Sequence, residues 1–482
     1  LNSTSSASKS AQTFEKSPLR LSSMGAVSTS FRYFVRKTKC TCILKTQCLP
    51  IRMSFTLSID QTIVESMKRV QAYKFRIDPN GEQQRKLRQF AGMARFVFNK
   101  ALALQQENRE AGGKYIQYVP MAKLLTDWRN GPETPWLKSA PVHPLQHALK
   151  HLDRAFKNFF EKRAAFPVFK KRGRNDSFRF PDSKQIKLEQ DDERIFLPKL
   201  GWLNYRKSQK VKGLVKNCTV SLKAGHWYVS IQTERAVAQP RHPGATAAGI
   251  DVGIVRFATL WDGQTEQVIQ PLNSFKTHEH RLAKAQRQMS RKVKFSSNWK
   301  RAKLRVQKIQ NQIANVRNDF LHKTSHSISK NHALLCVEDL RISNMSRSAS
   351  GTPEDPGRNV SAKSGLNKAI LDQGWGEFGR QLDYKSAWQG GWLVAVPPAN
   401  TSRECQVCGH TCAENRKTQS VFLCVACGHT ENADTVASKN IRERGLNLFE
   451  GQGIGRLACE VNGAVRPSAA GTRRSEQAAH AA

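Results

Sequence analysis

Cys405-Gln-Val-Cys408-Gly-His and Cys424-Val-Ala-Cys427-Gly-His, within CQVCGHTCAENRKTQSVFLCVACGHTENADTVASKNI (residues 405–441), decide how this chain is read. The two Cys-x-x-Cys knuckles stand fifteen residues apart. Each presents two sulfurs on a tight, glycine-containing turn, and four thiolates close a tetrahedral zinc site of the ribbon type. Cys405, Cys408, Cys424 and Cys427 are therefore the predicted ligands of one structural Zn²⁺. A disulfide reading is weaker in a long, highly basic chain. Four sulfurs complete the site, which leaves His410, His429 and Cys412 beside it or on the surface. Asp434 follows the last thiol by seven positions, in the first turn of a helical NADTVASKNIRERGL. A ribbon this small is an accessory, so the activity has to be sought on either side of it.

Moving outward, WLVAV (392–396), HALLCVEDL (332–340) and AGIDVGIVRFATLWDGQ (248–264) read as buried strands of one core. The last of these turns at Asp262-Gly263 into a further strand. Asp251 lies inside an apolar run, where an unpaired carboxylate is costly; a metal, a cation or a structural partner must compensate it. HALLCVEDL ends in adjacent acids that strand alternation sends to opposite faces, so at most one of Glu338 and Asp339 joins Asp251. The residues alone leave that choice open. Asp434, taken singly, reads as a capping carboxylate. Taken together, Asp251, one acid of the 338–339 pair and Asp434 make a three-carboxylate set. Such a set suits Mg²⁺, which takes oxygen ligands and leaves room for phosphate oxygens. Two ions about 3.5–4 Å apart serve in-line phosphodiester displacement. With no Ser/His or Cys/His pair and no phosphate-cradling glycine loop competing, a nuclease is the leading expectation.

The charge agrees. Among 482 residues, 78 are Lys or Arg against 38 Asp or Glu, a formal +40 with a pI near 10.2. Such an excess predicts a polyanionic partner, and the absence of any long apolar run favours nucleic acid over membrane. Residues 281–304 hold nine basic side chains and no acidic one. Arg287, Arg291, Lys292 and Lys294 are candidate phosphate contacts along this rail. Val306, Ile309, Ile313, Val316 and Phe320 then form a helix-pairing seam. A Gly/Ser/Pro-rich loop at 346–364 precedes a helix carrying Ile370, Trp375, Phe378 and Leu382.

Nearer the start, QAYKFRI alternates as a strand, Pro79-Asn80-Gly81 turns, and a helix carries Leu87, Phe90, Phe96, Val97 and Leu102 on one stripe. Further helices are predicted at about 120–128 and 143–162. FPVFKKRGRNDSFRFP (166–181) interleaves Phe166, Phe169, Phe178 and Phe180 with Lys170, Lys171, Arg172, Arg174 and Arg179. That pattern suits phosphate contact plus base stacking, or a solvated hairpin. Short alternating runs to about 240 predict a small β-barrel or sandwich. Residues 1–66 are Ser/Thr-rich, with one acid through Arg52, and read as translated upstream sequence or a transit peptide, with Met67 a natural start. Eleven cysteines fit a reducing, cytoplasmic compartment. The tail beyond about 451 is expected to be disordered.

GIDVGIVRFATL, LLCVEDL, CQVCG…CVACGH and DTVASKNI, in this order, resemble TnpB, the transposon-encoded RNA-guided DNA endonuclease related to type V CRISPR effectors. YKFRIDPNGEQQRKLRQFAGMARFVFNKAL, WGEFGRQLDYK and ANTSREC are similar too, so the likeness runs from about Met67 to Leu446. It assigns Asp251, Glu338 and Asp434 as the RuvC carboxylates. It also implies a multidomain α+β chain. An OB-like β-barrel wedge (67–80 and 166–245) is interrupted by a helical recognition lobe (81–165). An RNase H-like RuvC α/β core (246–400) carries the zinc ribbon (401–432) before its last helix (433–450). The implied partners are a guide RNA from the transposon end, target double-stranded DNA and an encoded partner transposase. The implied cofactors are two Mg²⁺ and one Zn²⁺, in a prokaryotic cytoplasm. The alternatives are a nuclease-inactive RNA-guided DNA-binding protein and an accessory transposase. Two departures stand out: Ala433 where the family has Arg, with Asn432 before it in place of an acid, and Val436 where the family has Asn.

Overall fold

The computed structural model describes residues 66–451. Apart from Ser66 and Gly451, the N-terminal extension and the tail read from the sequence lie outside the described residues, as do Cys40, Cys42 and Cys48.

β1 (Ser66–Ile77) is followed by α1 (Gly81–Glu110), α2 (Tyr118–Asn130) and α3 (Val142–Phe160). Asn80 starts α1 with a capping box: its side chain accepts from the Gln83 N–H, and the Gln83 side chain accepts from the Asn80 N–H. The predicted stripe is inward, with Leu87, Phe90, Val97 and Leu102 buried and Phe96 packed partly against the same core. Next come β2 (Ser177–Phe180), β3 (Lys187–Glu189), β4 (Arg194–Leu197), β5 (Gly201–Asn204), β6 (Leu214–Lys223) and β7 (His226–Ala238). β1 pairs with β7 along its whole length, so the chain does return to its first strand after the helices. The strands form an open four-stranded sheet, β1-β7-β6-β2, and a three-stranded one, β3-β4-β5. A bridge between Ile77 and Tyr205 joins them; among the described residues no ladder closes a barrel. Helices and sheets share one core, from Tyr73 and Phe75 through Leu102, Leu149 and Phe156 to Val229. Helices α1–α3 and strands β1–β7 therefore bury their apolar faces against each other.

The second core opens with β8 (Ala247–Val252), β9 (Ala258–Trp261) and β10 (Glu266–Ile269), then the helical hairpin α4 (Ser274–Ser290) and α5 (Ser297–Asn331). β11 (Leu334–Glu338), α6 (Ile342–Met345), α7 (Val360–Gln373), α8 (Trp375–Gln389) and β12 (Trp392–Val396) complete it. The sheet order is β10-β9-β8-β11-β12, with β8, β11 and β12 parallel. Two runs read as single elements are divided. GIDVGIVRFATL breaks at 253–257 into antiparallel β8 and β9, and the helix carrying Ile370 to Leu382 breaks at Gly374, whose φ of 72° ends α7 and begins α8. The predicted seam pairs Val306, Ile309 and Ile313 with Leu282 and Ala285 of α4. Val316 is left exposed at 39%, where α5 passes from α4 to the sheet.

β13 (Val421–Leu423), β14 (Thr430–Asn432) and α9 (Ala433–Gly451) follow. α9 lies directly on the sheet because two glycines let it: a Cβ on Gly249 would fall 2.0 Å from Ser438 O, and one on Gly445 would meet Cys336 Sγ at 2.2 Å.

Candidate carboxylate centre and cysteine ribbon

Parallel β8 and β11 run in register, with Val337 opposite Ile250, so Asp251 and Glu338 come abreast at the carboxyl ends of neighbouring strands. α9, seated on Gly249, brings Asp434 in its first turn to the same end. The other two acids both act on Asp251. Burial, then Glu338, then Asp434 push the Asp251 carboxyl up to about 7, against the pull of Arg416. Burial also raises Glu338; the Thr401 hydroxyl, which donates to its Oε1 at 2.5 Å, and the Arg444 and Arg416 guanidiniums work the other way. Asp339, the neighbour that sequence could not separate from Glu338, is exposed. Thr259, opposite Asp251 in the β8–β9 ladder, has a buried hydroxyl without a hydrogen-bond partner.

Arg416, which no motif singled out, approaches this centre from the ribbon. Its Nη2 lies 3.6 Å from Asp434 Oδ1 and donates to Gln419 O at 2.9 Å. Ala433 and Val436, the two departures, are fully buried with Cys405, Phe422 and Cys424, packing the ribbon onto α9. Asn432 accepts from the Asp434 N–H at 3.0 Å and so caps α9.

The four knuckle sulfurs lie within 4.8 Å of one another, with Cys405–Cys427 at 3.7 Å and Cys408–Cys424 at 3.6 Å. Four sulfurs about 2.3 Å from a central ion would be separated by about 3.8 Å. The knuckles are copies: the Gly409 N–H donates to Cys405 O and the Gly428 N–H to Cys424 O, both at 2.9 Å. Fully buried Asn415 pins them together, donating to Arg403 O and His410 O while its Oδ1 accepts from Val425 N–H. His410, His429 and Cys412 stand outside the sulfur cluster; His429 meets Glu431 and Cys412 meets Glu414.

The remaining predicted contacts separate. Lys171, Arg172 and Arg174 are exposed on the 166–176 loop, and Lys170 is anchored there, its backbone paired with Asn99 and its ammonium 4.0 Å from the Phe98 ring centroid. Arg179 is held in the sheet instead, donating to Gln232 Oε1 at 3.0 Å. Phe178 and Phe180 are buried and Phe166 packs on Phe156 and Phe159; of the four interleaved rings only Phe169 is exposed. Alternation along β2 explains this: the phenylalanines face the core and Arg179 does not. Arg287, Arg291, Lys292 and Lys294 are exposed at the end of α4 and the turn after it.

A three-acid centre at the carboxyl ends of parallel strands, with a four-cysteine ribbon packed against its last helix, defines a class of carboxylate-bearing α/β proteins with a thiol insert. The comparisons narrow the class. The OrfB_IS605 profile, described as a probable transposase, matches residues 226–349, and the Cas12f1-like TNB domain matches 375–441. A helix-turn-helix profile matches 67–114, which here fold as a strand and one 30-residue helix. InsQ of Escherichia coli (strain K12), provisionally named an RNA-guided DNA endonuclease, is 56% identical over 379 residues, covering 79% of this chain and 93% of that one. A Streptomyces pristinaespiralis protein with the same provisional name is 32% identical over 390 residues, 80% of this chain and 91% of that one. A chain from a cryo-EM structure of a Cas12f1–sgRNA–target DNA complex aligns at a TM-score of 0.47 and 11% identity, over 78% of this chain and 99% of that one. The chain belongs to the TnpB (OrfB) family.

Proposed function

We propose that this protein is an RNA-guided DNA endonuclease that hydrolyses phosphodiesters at Asp251, Glu338 and Asp434, guided by an RNA from its transposon's end to duplex DNA beside a short adjacent motif. One observation carries the reading: three carboxylates gather at one end of the sheet with Arg416 directed at them, and burial together with the charges of Glu338 and Asp434 pushes Asp251 up to about 7. Arg444 is engaged by Glu404, so the centre keeps an excess of negative charge. That excess, the partnerless Thr259 hydroxyl and oxygen-only donors fit hard divalent cations such as Mg²⁺. Three carboxylates, joined by phosphate oxygens, supply enough ligands for a pair of such ions. Bound there, such a pair supplies Lewis acidity to a water and to the leaving oxygen.

The chain's own residues have distinct tasks. Asp251 sits between the other two acids and must be ionised to bind cation, so binding strengthens as pH rises through about 7. Thr401 orients Glu338, and Asn432 fixes the start of α9 and with it Asp434. Arg416 keeps the acids from repelling one another fully and offers a guanidinium to a phosphate. The thiolates of Cys405, Cys408, Cys424 and Cys427 hold Zn²⁺, which keeps the ribbon folded and Arg416 in place. Base pairing of the guide selects the target, while the wedge and helical lobe read duplex shape and the adjacent motif.

The test is cleavage of a plasmid matched to the RNA that copurifies with the protein. With Mg²⁺ the wild type cuts; Asp251→Ala binds the same plasmid and leaves it intact. Wild-type protein that binds matched DNA and never cuts it would instead establish the nuclease-inactive DNA-binding reading. Strand transfer that persists after RNase treatment would point to an accessory transposase.

A further inference from the structure

A long run of uncompensated charge away from the carboxylates lies at the turn between α4 and α5. Residues 280–318 contain twelve Lys and Arg and no Asp or Glu. There the two helices enclose a cleft of about 530 Å³ lined by Gln288, Arg291, Lys292, Asn298, Arg301 and Arg305. The four cations have no carboxylate within ion-pair distance among the described residues. Arg305 donates to Gln288 Oε1 at 3.3 Å across the cleft, so the walls are tied while the charge stays unanswered.

Phe295 heads the same turn. Its side chain is 65% exposed and its backbone is left-handed, with φ of 70°. A bulky residue rarely adopts that conformation, and strain of this kind collects at ligand sites. The ring meets Trp299 edge-on at 5.5 Å, and Lys294 and Lys303 stand 5.4 and 5.1 Å from the Phe295 and Trp299 rings. Cations around an exposed aromatic face match the chemistry of a single strand: phosphates for the former, a base for the latter. α5 abuts the β6–β7 turn at Leu304, where a Cβ on Gly225 would come within 3.0 Å, so the residues before Leu304 project past the wedge sheet. From there α5 runs about 40 Å to its end before β11. The bond to be cut belongs at the carboxylates on the sheet, so a strand gripped at this separate turn is assigned to the guide rather than the substrate.

We propose that the α4–α5 turn is a binding site for single-stranded RNA, the cleft taking successive phosphates and Phe295 stacking on a base. The proposal rests on the RNA-guided reading above and names where the protein grips its RNA. The test uses the full chain carrying Asp251→Ala, stripped of nucleic acid, with a uridine oligonucleotide bearing 5-iodouridine and its thymidine counterpart. Phe295→Ala should weaken RNA binding about tenfold, as for loss of one base stack, with Phe295→Trp restoring it. Arg291→Gln/Arg301→Gln should flatten the log–log salt slope by about 1.4, or 0.7 per lost phosphate contact. Photocrosslinks should map to residues 295–299. Unchanged affinity in Phe295→Ala, or crosslinks mapping elsewhere, overturns the site. Equal behaviour of the DNA strand overturns the choice of RNA. A wild-type chain that performs guided cleavage without dependence on Phe295 removes this inference alone, whereas one that binds RNA here and never cuts removes the nuclease assignment alone.

Discussion

Replacing Asp251 by Asn should stabilise the metal-free protein while abolishing cleavage. The carboxyl stands near 7 in the folded chain against an ordinary value of 3.8, because burial and the two neighbouring acids disfavour its charge. Between those values the folded state binds more protons than the unfolded one, so stability falls as pH rises through the window and levels off above about 7. A shift of about three units corresponds to about 4 kcal/mol. Asp251 keeps partial solvent contact, and screening brings the expected gain to about 2 kcal/mol. Asn is nearly isosteric and its carbonyl can still accept from the Val252 N–H that the carboxylate uses. Urea unfolding in EDTA should show Asp251→Asn more stable than wild type at pH 8, with the difference roughly halved at pH 5. Adding Mg²⁺ should stabilise only the wild type. If the variant is less stable than wild type at pH 8 without metal, the carboxylate is held by a partner and the crowded-charge account is wrong.

Cys405→Ser should lose the bound zinc and unfold the ribbon, seen as zinc falling from one per chain and cleavage falling with it; retained zinc and rate would dismiss the ligand assignment. Thr401→Val removes the hydroxyl that lowers Glu338, so the acidic limb of the pH–rate profile should move to higher pH and the rate drop about tenfold, in line with one hydrogen bond to a charged group. Arg416→Gln should cut the rate about a hundredfold while leaving DNA affinity nearly intact, since its charge is directed at the acids. Gly249→Ala forces a methyl group against Ser438 O of α9 and should cost about 1–3 kcal/mol in thermal unfolding, with cleavage lost as Asp434 is displaced.

How much of this could be read without coordinates depended on whether a residue announces itself locally. The knuckles do, through spacing, and Asp251 does, because a carboxylate inside an apolar strand breaks the pattern. Strand alternation correctly separated Glu338 from Asp339 but could not say which faced Asp251; that follows from β8–β11 register, a long-range property. The break at 253–257 was hidden because Gly253 is its one turn-forming residue. Phe178 and Phe180 misled because cations beside aromatics look alike whether the rings stack on bases or fill a core. Arg416 left no trace at all: a single arginine in a polar ribbon loop gains meaning only once the fold brings it to Asp434.

Arg416 also explains why a ribbon should be inserted at this point in the chain. Glu338 and Asp434 sit on a strand and a helix that could drift apart, and the segment between them in space is the ribbon's base. From there Thr401 reaches Glu338, and Asn440 of α9 donates to the carbonyls of Thr401 and Glu404, the latter adjoining the first knuckle. Gln406, inside that knuckle, donates to Asn440 Oδ1. Hydrogen bonds thus run unbroken from a sulfur turn through α9 to one carboxylate, while Arg416 addresses the other from the same insert. Ala433 and Val436 close the joint with apolar packing against Cys405 and Cys424. An arginine at 433 would have to enter that dry contact, whereas Arg416 brings a guanidinium to Asp434 from outside it.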